Sequence, residues 1–148
     1  MNNRNFVPFF ESLELKKLGF NLECYACYKV EDNEGEPIMV DDDDQYKSCG
    51  FRTCTNEEIP NHYVAAPLYQ QAFKWFRDEH NLYPVINLHD REDTQTWRMT
   101  VCIIGSEELA YNQNVRKVPY YKTYGDAECA CVQILIKLAK KYQHETKT

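Results

Sequence analysis

Several kinds of segment are missing from this sequence of 148 residues, and each absence removes a class of protein. No run of 18 or more apolar residues occurs, so no helix is predicted to cross a membrane. The N-terminus lacks the apolar stretch of a secretory signal, which favours a cytoplasmic protein. There are only five glycines, no glycine-rich phosphate loop and no Gly-x-Ser-x-Gly segment. The sequence therefore nominates no cofactor and no catalytic residue, and a non-enzymatic role is favoured.

The sequence also lacks an excess of basic residues over acidic ones. The formal net charge is −6, and eight carboxylates without any Lys or Arg lie between Glu31 and Asp44. Without these eight, 15 acids stand against 17 bases, so the rest of the chain is nearly neutral. A domain that binds phosphate backbones is usually strongly basic. This charge pattern disfavours direct nucleic-acid binding and points to the acidic segment as a feature of its own.

What the chain has in abundance is aromatic and apolar residues. Aromatic residues make up 14% of the chain, with eleven tyrosines, and a chain of this length can bury a core without disulfides or metals. We therefore expect one domain over residues 1–148, with frayed ends at about 1–8 and 143–148. The seven cysteines are an odd number, and we interpret them as reduced thiols that pack as small hydrophobic side chains.

Residue periodicity and turn signals predict an α+β fold in the order α-ββ-α-ββ-α. The sheet is expected to be antiparallel, built from two hairpins, with the helices packed on one face. The predicted elements are a helix over 12–18, strands over 23–30 and 38–40, a helix from 67 to 80, strands over 85–88 and 96–104, and a helix from 123 to 142.

Capping residues set the predicted ends of these helices. Ser12 is expected to be the N-cap of the first helix and Gly19 its left-handed C′ residue. Pro67 is expected at the first position of the second helix and Asn81 just beyond its end. Thr123 begins a capping box for the third helix.

Three segments resemble a family of small proteins of unknown activity that are encoded in phages, prophages and mobile elements of Bacteroidetes. They occur in the family's order and comprise residues 12–20 (SLELKKLGF), 66–77 (APLYQQAFKWFR) and 123–131 (TYGDAECAC). The resemblance spans residues 12–142 and carries over no catalytic residue. Members usually have one cysteine at the position of Cys24, and Cys27 departs from that pattern. The resemblance implies an accessory protein acting in a bacterial cytoplasm.

The cysteine spacing is the one arrangement that suggests a metal. Cys24-x2-Cys27 and Cys49-x4-Cys54 form two close pairs about 20 residues apart, a spacing at which four thiolates can bind zinc. However, Cys24 and Cys27 fall in a predicted strand, where residues three apart point to opposite faces. We therefore prefer buried thiols, and we keep a zinc-stabilised module or a small metal-dependent enzyme as the alternative.

Acidic and aromatic residues supply the preferred candidate site. The run Asp41, Asp42, Asp43 and Asp44 lacks the ligand spacing of a calcium loop and is interpreted as a solvated acidic loop. His89, Asp90, Glu92 and Asp93 fall at a predicted hairpin turn, where polar residues are expected without any catalytic role. Tyrosines are favoured in protein interfaces because they bury a large area and keep a polar tip. The predicted partner-binding residues are Asp41, Asp42, Asp43, Asp44, Tyr46, Tyr120 and Tyr121.

These features favour a protein-binding module whose partner is a host or phage protein. An acidic hairpin can occupy a basic groove in place of nucleic acid, so inhibition of a defence nuclease such as a CRISPR effector is a special case. A structural role in a phage complex is a further alternative. Homodimerisation through a sheet edge or through the aromatic residues is left open.

Overall fold

A computed structural model describes residues 5–31, 35–40, 53–91, 94–105, 109–112 and 120–145. The backbone divides into two compact units, Met1–Ala72 and Phe73–Thr148, with the boundary inside a continuous helix. The elements are α1 (Phe9–Lys17), β1 (Ala26–Lys29), β2 (Ile38–Met39), β3 (Tyr63–Ala66), α2 (Tyr69–His80), β4 (Leu82–Arg91), β5 (Thr94–Ile103), β6 (Leu109–Asn112) and α3 (Tyr124–Glu145). Each unit is described below by itself.

The α+β class is confirmed with three helices and both hairpins, but the exact order of elements differs from the prediction and the strands form two sheets instead of one. The described strands form two antiparallel sheets of three strands each, ordered β2-β1-β3 and β4-β5-β6. Each predicted hairpin gains a third strand that the sequence pattern did not reveal. All four residues of β3 are buried, so the strand shows no alternation of polar and apolar residues, and β6 has only four residues.

The end of α1 follows the predicted cap. Gly19 has φ +97°, in the left-handed region that favours glycine. The N–H of Phe20 donates to the carbonyl of Leu15 at 2.9 Å, and the N–H of Gly19 donates to that of Lys16 at 3.1 Å. These two bonds form a Schellman motif, which satisfies carbonyls that have no partner within the helix.

The start of α1 differs from the prediction. The helix begins at Phe9 with Pro8 as its N-cap, and the predicted cap Ser12 is buried one turn inside it. The Ser12 hydroxyl donates to the carbonyl of Val7 at 3.0 Å, and the Tyr28 hydroxyl donates to the same oxygen at 2.8 Å. Phe6 and Val7 are buried, although they lie in the segment that was expected to fray.

In the first unit, a hydrophobic cluster holds α1 on the sheet. Its members are Phe6, Phe9, Ala26, Tyr28, Val64 and Ala66. The rings of Phe9 and Tyr28 meet edge to face with centroids 5.8 Å apart. Burial of such side chains stabilises a fold by about 1.5–3 kcal/mol each, which a helix of nine residues requires because it is too short to be stable alone.

A buried amide crosslinks the first unit. The Asn56 side chain donates from Nδ2 to the carbonyl of Phe20 at 2.8 Å and accepts at Oδ1 from the N–H of Ala65 at 3.0 Å. It therefore joins Phe20, three residues after the end of α1, to a central residue of β3. Loss of this buried amide would remove one hydrogen bond from each of the two backbone groups.

In the second unit, β4 and β5 form a long hairpin with ten residues in each strand. Pairing extends from Leu82↔Ile103 to Arg91↔Thr94, so the strands reach further than the predicted polar turn over 90–95 allowed. The sequence alternates Trp97, Met99, Val101 and Ile103 with Arg98, Thr100 and Cys102, which predicts one apolar face for β5, and this face is present. Met99 and Val101 are fully buried, and Trp97 and Ile103 on the same face are partly buried.

The helices that flank this hairpin are capped by local side chains. The Gln71 side chain accepts from the N–H of Leu68 at 2.9 Å, so Leu68 is the N-cap of α2 and Pro67 precedes it instead of starting the helix. Asn81, just after α2, has φ +55° as expected. The Thr123 hydroxyl accepts from the N–H of Asp126 at 3.1 Å and thereby caps α3.

The apolar stripe of α3 packs on β4 and β5. Its fully buried members are Ala127, Cys131, Val132, Leu135 and Ala139. Together with Met99 and Val101 they form the core of the second unit. Among the described residues, no helix has both the length and the apolar character needed to span a membrane.

We expect Gly19→Ala to lower the free energy of unfolding by about 1 kcal/mol, because a Cβ disfavours the left-handed backbone at this position. Gly125→Ala is the matched control, since Gly125 lies in the first turn of α3. In the described part of the chain, no other atom lies within 4 Å of the Cβ position at either glycine. Gly125→Ala should leave stability unchanged or raise it by up to about 1 kcal/mol. Urea unfolding followed by circular dichroism measures both, and equal effects would contradict the cap.

Candidate functional site

Two cysteines of the predicted zinc set lie side by side in the first unit. Cys24 and Cys54 form an isolated antiparallel bridge in which each N–H donates to the other's carbonyl at 2.8 Å. The Cys54 thiol donates to the carbonyl of Ala26 at 3.6 Å, and the Cys24 thiol donates to that of Leu22 at 3.5 Å. Cys24, Cys27 and Cys54 are all buried, and Cys49 lies outside the described residues.

The environment of these thiols favours their protonated form. Burial, and next the nearby Cys27, raises the pKa of the Cys24 thiol from 9.0 to about 12. Zinc binds the thiolate, so a site of this kind must overcome the cost of ionising a buried thiol. Among the described residues, which include Cys24, Cys27 and Cys54, no group of three or more His, Cys, Asp or Glu side chains is arranged to hold a metal ion.

The acidic part of the predicted binding site cannot be placed. Asp41, Asp42, Asp43, Asp44 and Tyr46 lie outside the described residues, as do Glu92 and Asp93. His89 and Asp90 belong to the backbone of β4.

Tyr120 and Tyr121 lie next to the hairpin of the second unit. Both side chains are half-buried. Tyr121 forms a backbone bridge with Trp97, with N···O distances of 2.7 and 2.9 Å in the two directions. The bridge lies on the side of β5 that faces away from β4. Tyr121 is thereby fixed beside the one tryptophan of the hairpin.

Two exposed side chains complete a surface around Trp97. Leu88 lies directly opposite Trp97 in the β4–β5 pairing and is 47% exposed. Tyr124, the first residue of α3, is 42% exposed, and its ring meets the Trp97 ring edge to face with centroids 4.9 Å apart. Leu88, Trp97, Tyr121 and Tyr124 are called the Trp97 patch below.

Buried titratable groups lie beneath this patch. Glu128 follows Tyr124 by one helical turn and is 7% exposed, and burial raises the pKa of its carboxyl. The pKa of the Tyr124 hydroxyl is raised by burial and then by Glu128 and Cys131. Burial also raises the pKa of the Tyr121 hydroxyl, with Tyr111 as the second cause. Both tyrosines are therefore neutral hydrogen-bonding groups at physiological pH.

The sequence contained part of the signal for this patch. Trp97 was placed correctly on the face that it shares with Met99 and Val101, and Tyr121 was named as a candidate. The sequence does not indicate that Leu88 is exposed, because a leucine at the end of a strand is expected to be buried in the core. Tyr124 is one of eleven tyrosines, and only the Thr123 cap places it at the first position of the helix, beside the hairpin.

The chain matches no family model, no curated protein and no solved structure. The resemblance to proteins of phages and mobile elements stays a prediction.

Alkylation should separate the buried thiols from the accessible ones. At about pH 8 in the native state, we expect iodoacetamide to modify the half-buried Cys102 and Cys129 first. Cys24 and Cys131, whose thiol pKa values are raised to about 12, should react at least roughly a hundredfold more slowly, because the thiolate is the nucleophile. Peptide mapping by mass spectrometry gives the rates. In denaturant all four should react alike, and equal rates in the native state would refute the assignment.

Glu128 should make stability depend on pH. Its pKa is higher in the folded chain than its ordinary value of 4.5, so the folded chain holds the proton more tightly. Stability from this group is therefore greatest below about pH 4 and falls as the pH rises through the folded-state pKa. Glu128→Gln should unfold at higher urea concentration than the wild type near neutral pH, and the difference should shrink on acidification. Parallel pH profiles of the two proteins would contradict this.

Proposed function

We propose that this chain is a non-enzymatic protein-binding module and that the Trp97 patch contacts its partner. The observation that carries the proposal is the contiguity of exposed apolar surface around one half-buried indole. Leu88 and Tyr124 both expose more than two fifths of their surface, and both adjoin Trp97. Single exposed hydrophobic residues are ordinary, whereas contiguous aromatic ones are typical of contact surfaces.

The chemistry of the patch suits a protein better than a nucleic acid. Tyr121 and Tyr124 offer hydroxyl groups that can donate or accept hydrogen bonds when a partner covers their rings. Glu128, one helical turn after Tyr124, is close enough to raise the pKa of the Tyr124 hydroxyl, and a carboxylate in this position disfavours an approaching phosphate. The net charge of −6 acts in the same direction over long range.

The class of partner follows from the sequence. The proposed partner is a host or phage protein in a bacterial cytoplasm, in keeping with the family resemblance. The acidic run Asp41 to Asp44 would then add charge complementarity to a basic surface, which speeds association. Inhibition of a defence nuclease is the special case in which that basic surface is a nucleic-acid groove.

A comparison of two tyrosine substitutions tests whether the Trp97 patch binds the partner. Tyr124→Ser should weaken binding of the captured partner at least about tenfold, as expected for an aromatic residue near the centre of an interface. Tyr83→Ser is the matched control, because Tyr83 is similarly exposed (46%) and points to the opposite face of the same hairpin. The partner is first captured from a lysate of the organism that carries the gene, and binding is then measured by surface plasmon resonance. Equal loss in both variants would refute the assignment to this patch.

A second variant tests the acidic run separately. Replacing Asp41 to Asp44 by lysine should slow association, and the remaining rate should depend less on salt. Unchanged association would remove the acidic run from the interface without affecting the patch. Nuclease treatment of the lysate should leave capture intact, and loss of capture would show that nucleic acid bridges the two proteins.

A further inference from the structure

Residue pairs along the β4–β5 hairpin alternate between hydrogen-bonded and non-hydrogen-bonded, and this phase determines which backbone groups of β4 point away from β5. The N–H of Ile104 donates to the carbonyl of Asn81 at 2.8 Å, so the pair that precedes Leu82↔Ile103 is a hydrogen-bonded one. Since hydrogen-bonded and non-hydrogen-bonded pairs alternate in an antiparallel ladder, Leu88↔Trp97 is a non-hydrogen-bonded pair. The Trp97 backbone confirms this phase independently, because it bonds Tyr121 on its other side.

Even-numbered residues of β4 therefore direct their N–H and C=O groups away from β5. In the second unit, β4 is an edge strand of the sheet, and no described strand pairs with its outer side. The outward positions are Leu82, Pro84, Ile86, Leu88 and Asp90. Pro84 fits this phase, because an outward position is the one place in the strand where a missing N–H leaves the ladder complete.

Pro84 also limits how far another strand can pair. It removes one outward donor, so the longest uninterrupted set of outward groups is that of Ile86, Leu88 and Asp90. No charged residue lies between Leu82 and Leu88, although edge strands are commonly protected by charge. The stretch is thus short, is centred on the exposed Leu88, and has its one carboxylate residue, Asp90, at its end.

We propose that β4 pairs with β4 of a second copy of this chain, antiparallel about a two-fold axis at Leu88. In this register Leu88 lies opposite Leu88 of the second copy, and Ile86 lies opposite Asp90 of the second copy. Every outward donor of the stretch then meets an outward acceptor, which gives roughly six interchain hydrogen bonds. Neither copy presents Pro84 to this stretch.

The side chains favour a second copy as the occupant. Outward residues of β4 share the apolar face of the hairpin with Trp97 and Met99, so a pairing strand must continue an apolar face on that side. The centre of β4 has this pattern, with Ile86 and Leu88 on one face and Asn87 on the other, and Asp90 at the end of the stretch. The two-fold axis also brings the two exposed Leu88 side chains together, as neighbours on the same face of a continuous sheet.

This pairing is a separate proposal from the proposed function. The β4 edge and the Trp97 patch share Leu88, and other residues distinguish them. Tyr124 lies on α3, outside the β4 edge, and Ile86 lies outside the Trp97 patch. Loss of partner binding in Tyr124→Ser with unchanged self-association, or the reverse in an Ile86 variant, therefore tells the two surfaces apart.

Sedimentation equilibrium from about 10 µM to about 1 mM tests the dimer. The wild type should show a monomer–dimer equilibrium, and Ile86→Val, which keeps the outward N–H, should match it. Two variants should each raise the dissociation constant of the dimer at least tenfold. Ile86→Pro removes only an outward N–H, and Leu88→Lys places two positive charges side by side. If Ile86→Pro fails to fold by circular dichroism, Leu88→Lys decides.

Amide hydrogen exchange identifies the edge directly. The N–H groups of Ile86, Leu88 and Asp90 should gain protection as protein concentration rises, whereas those of Val85 and Asn87, which point to β5, should be protected throughout. Protection of the outward amides at every concentration would mean that the chain itself covers this edge. That result would overturn the proposal. So would a wild type that stays monomeric to about 1 mM, or a dimer that survives both Ile86→Pro and Leu88→Lys.

Discussion

The alternation of hydrogen bonding along the β4–β5 hairpin is the constraint on which the rest of the second unit depends. Because Asn81 bonds Ile104, every later pair has its phase assigned, and so does the direction of each side chain. Met99 and Val101 consequently face α3, and Trp97 turns its backbone toward Tyr121. A shift of one residue would exchange the two faces of the sheet and expose this core. Core, patch and strand edge are three results of one register.

The fold was predictable wherever a local signal was strong. Gly19 and Thr123 mark helix ends through backbone conformation and a side-chain oxygen, and both act within a few residues. Ser12 shows the limit of such signals. It is a good N-cap in isolation, but its hydroxyl bonds the Val7 carbonyl because Phe6 and Phe9 pull the chain before it into the core. β3 lacked a pattern because it is buried on both faces, and Asn56 gave no hint of its two backbone partners.

The candidate site was predictable in type more than in position. Tyrosines in excess of a core's needs predict a contact surface, and Tyr121 lies beside Trp97 in the patch proposed for that role. The contact between Trp97 and Tyr124 depends on α3 starting beside the hairpin, which is a tertiary fact that spacing cannot encode. Cys24 and Cys54 illustrate the opposite case. Their spacing suggests a metal site, and in the structure they form a buried pair whose backbones bond each other in an isolated bridge.

Pro84 has a consequence for how β4 tolerates substitution. A residue without an N–H leaves the ladder intact at even-numbered positions of this strand and breaks it at odd-numbered ones such as Tyr83 and Val85. Proline tolerance in a saturation library should therefore rise and fall with a period of two residues. Growth or solubility data from such a library would therefore show which way each peptide group of β4 points, without any spectroscopy.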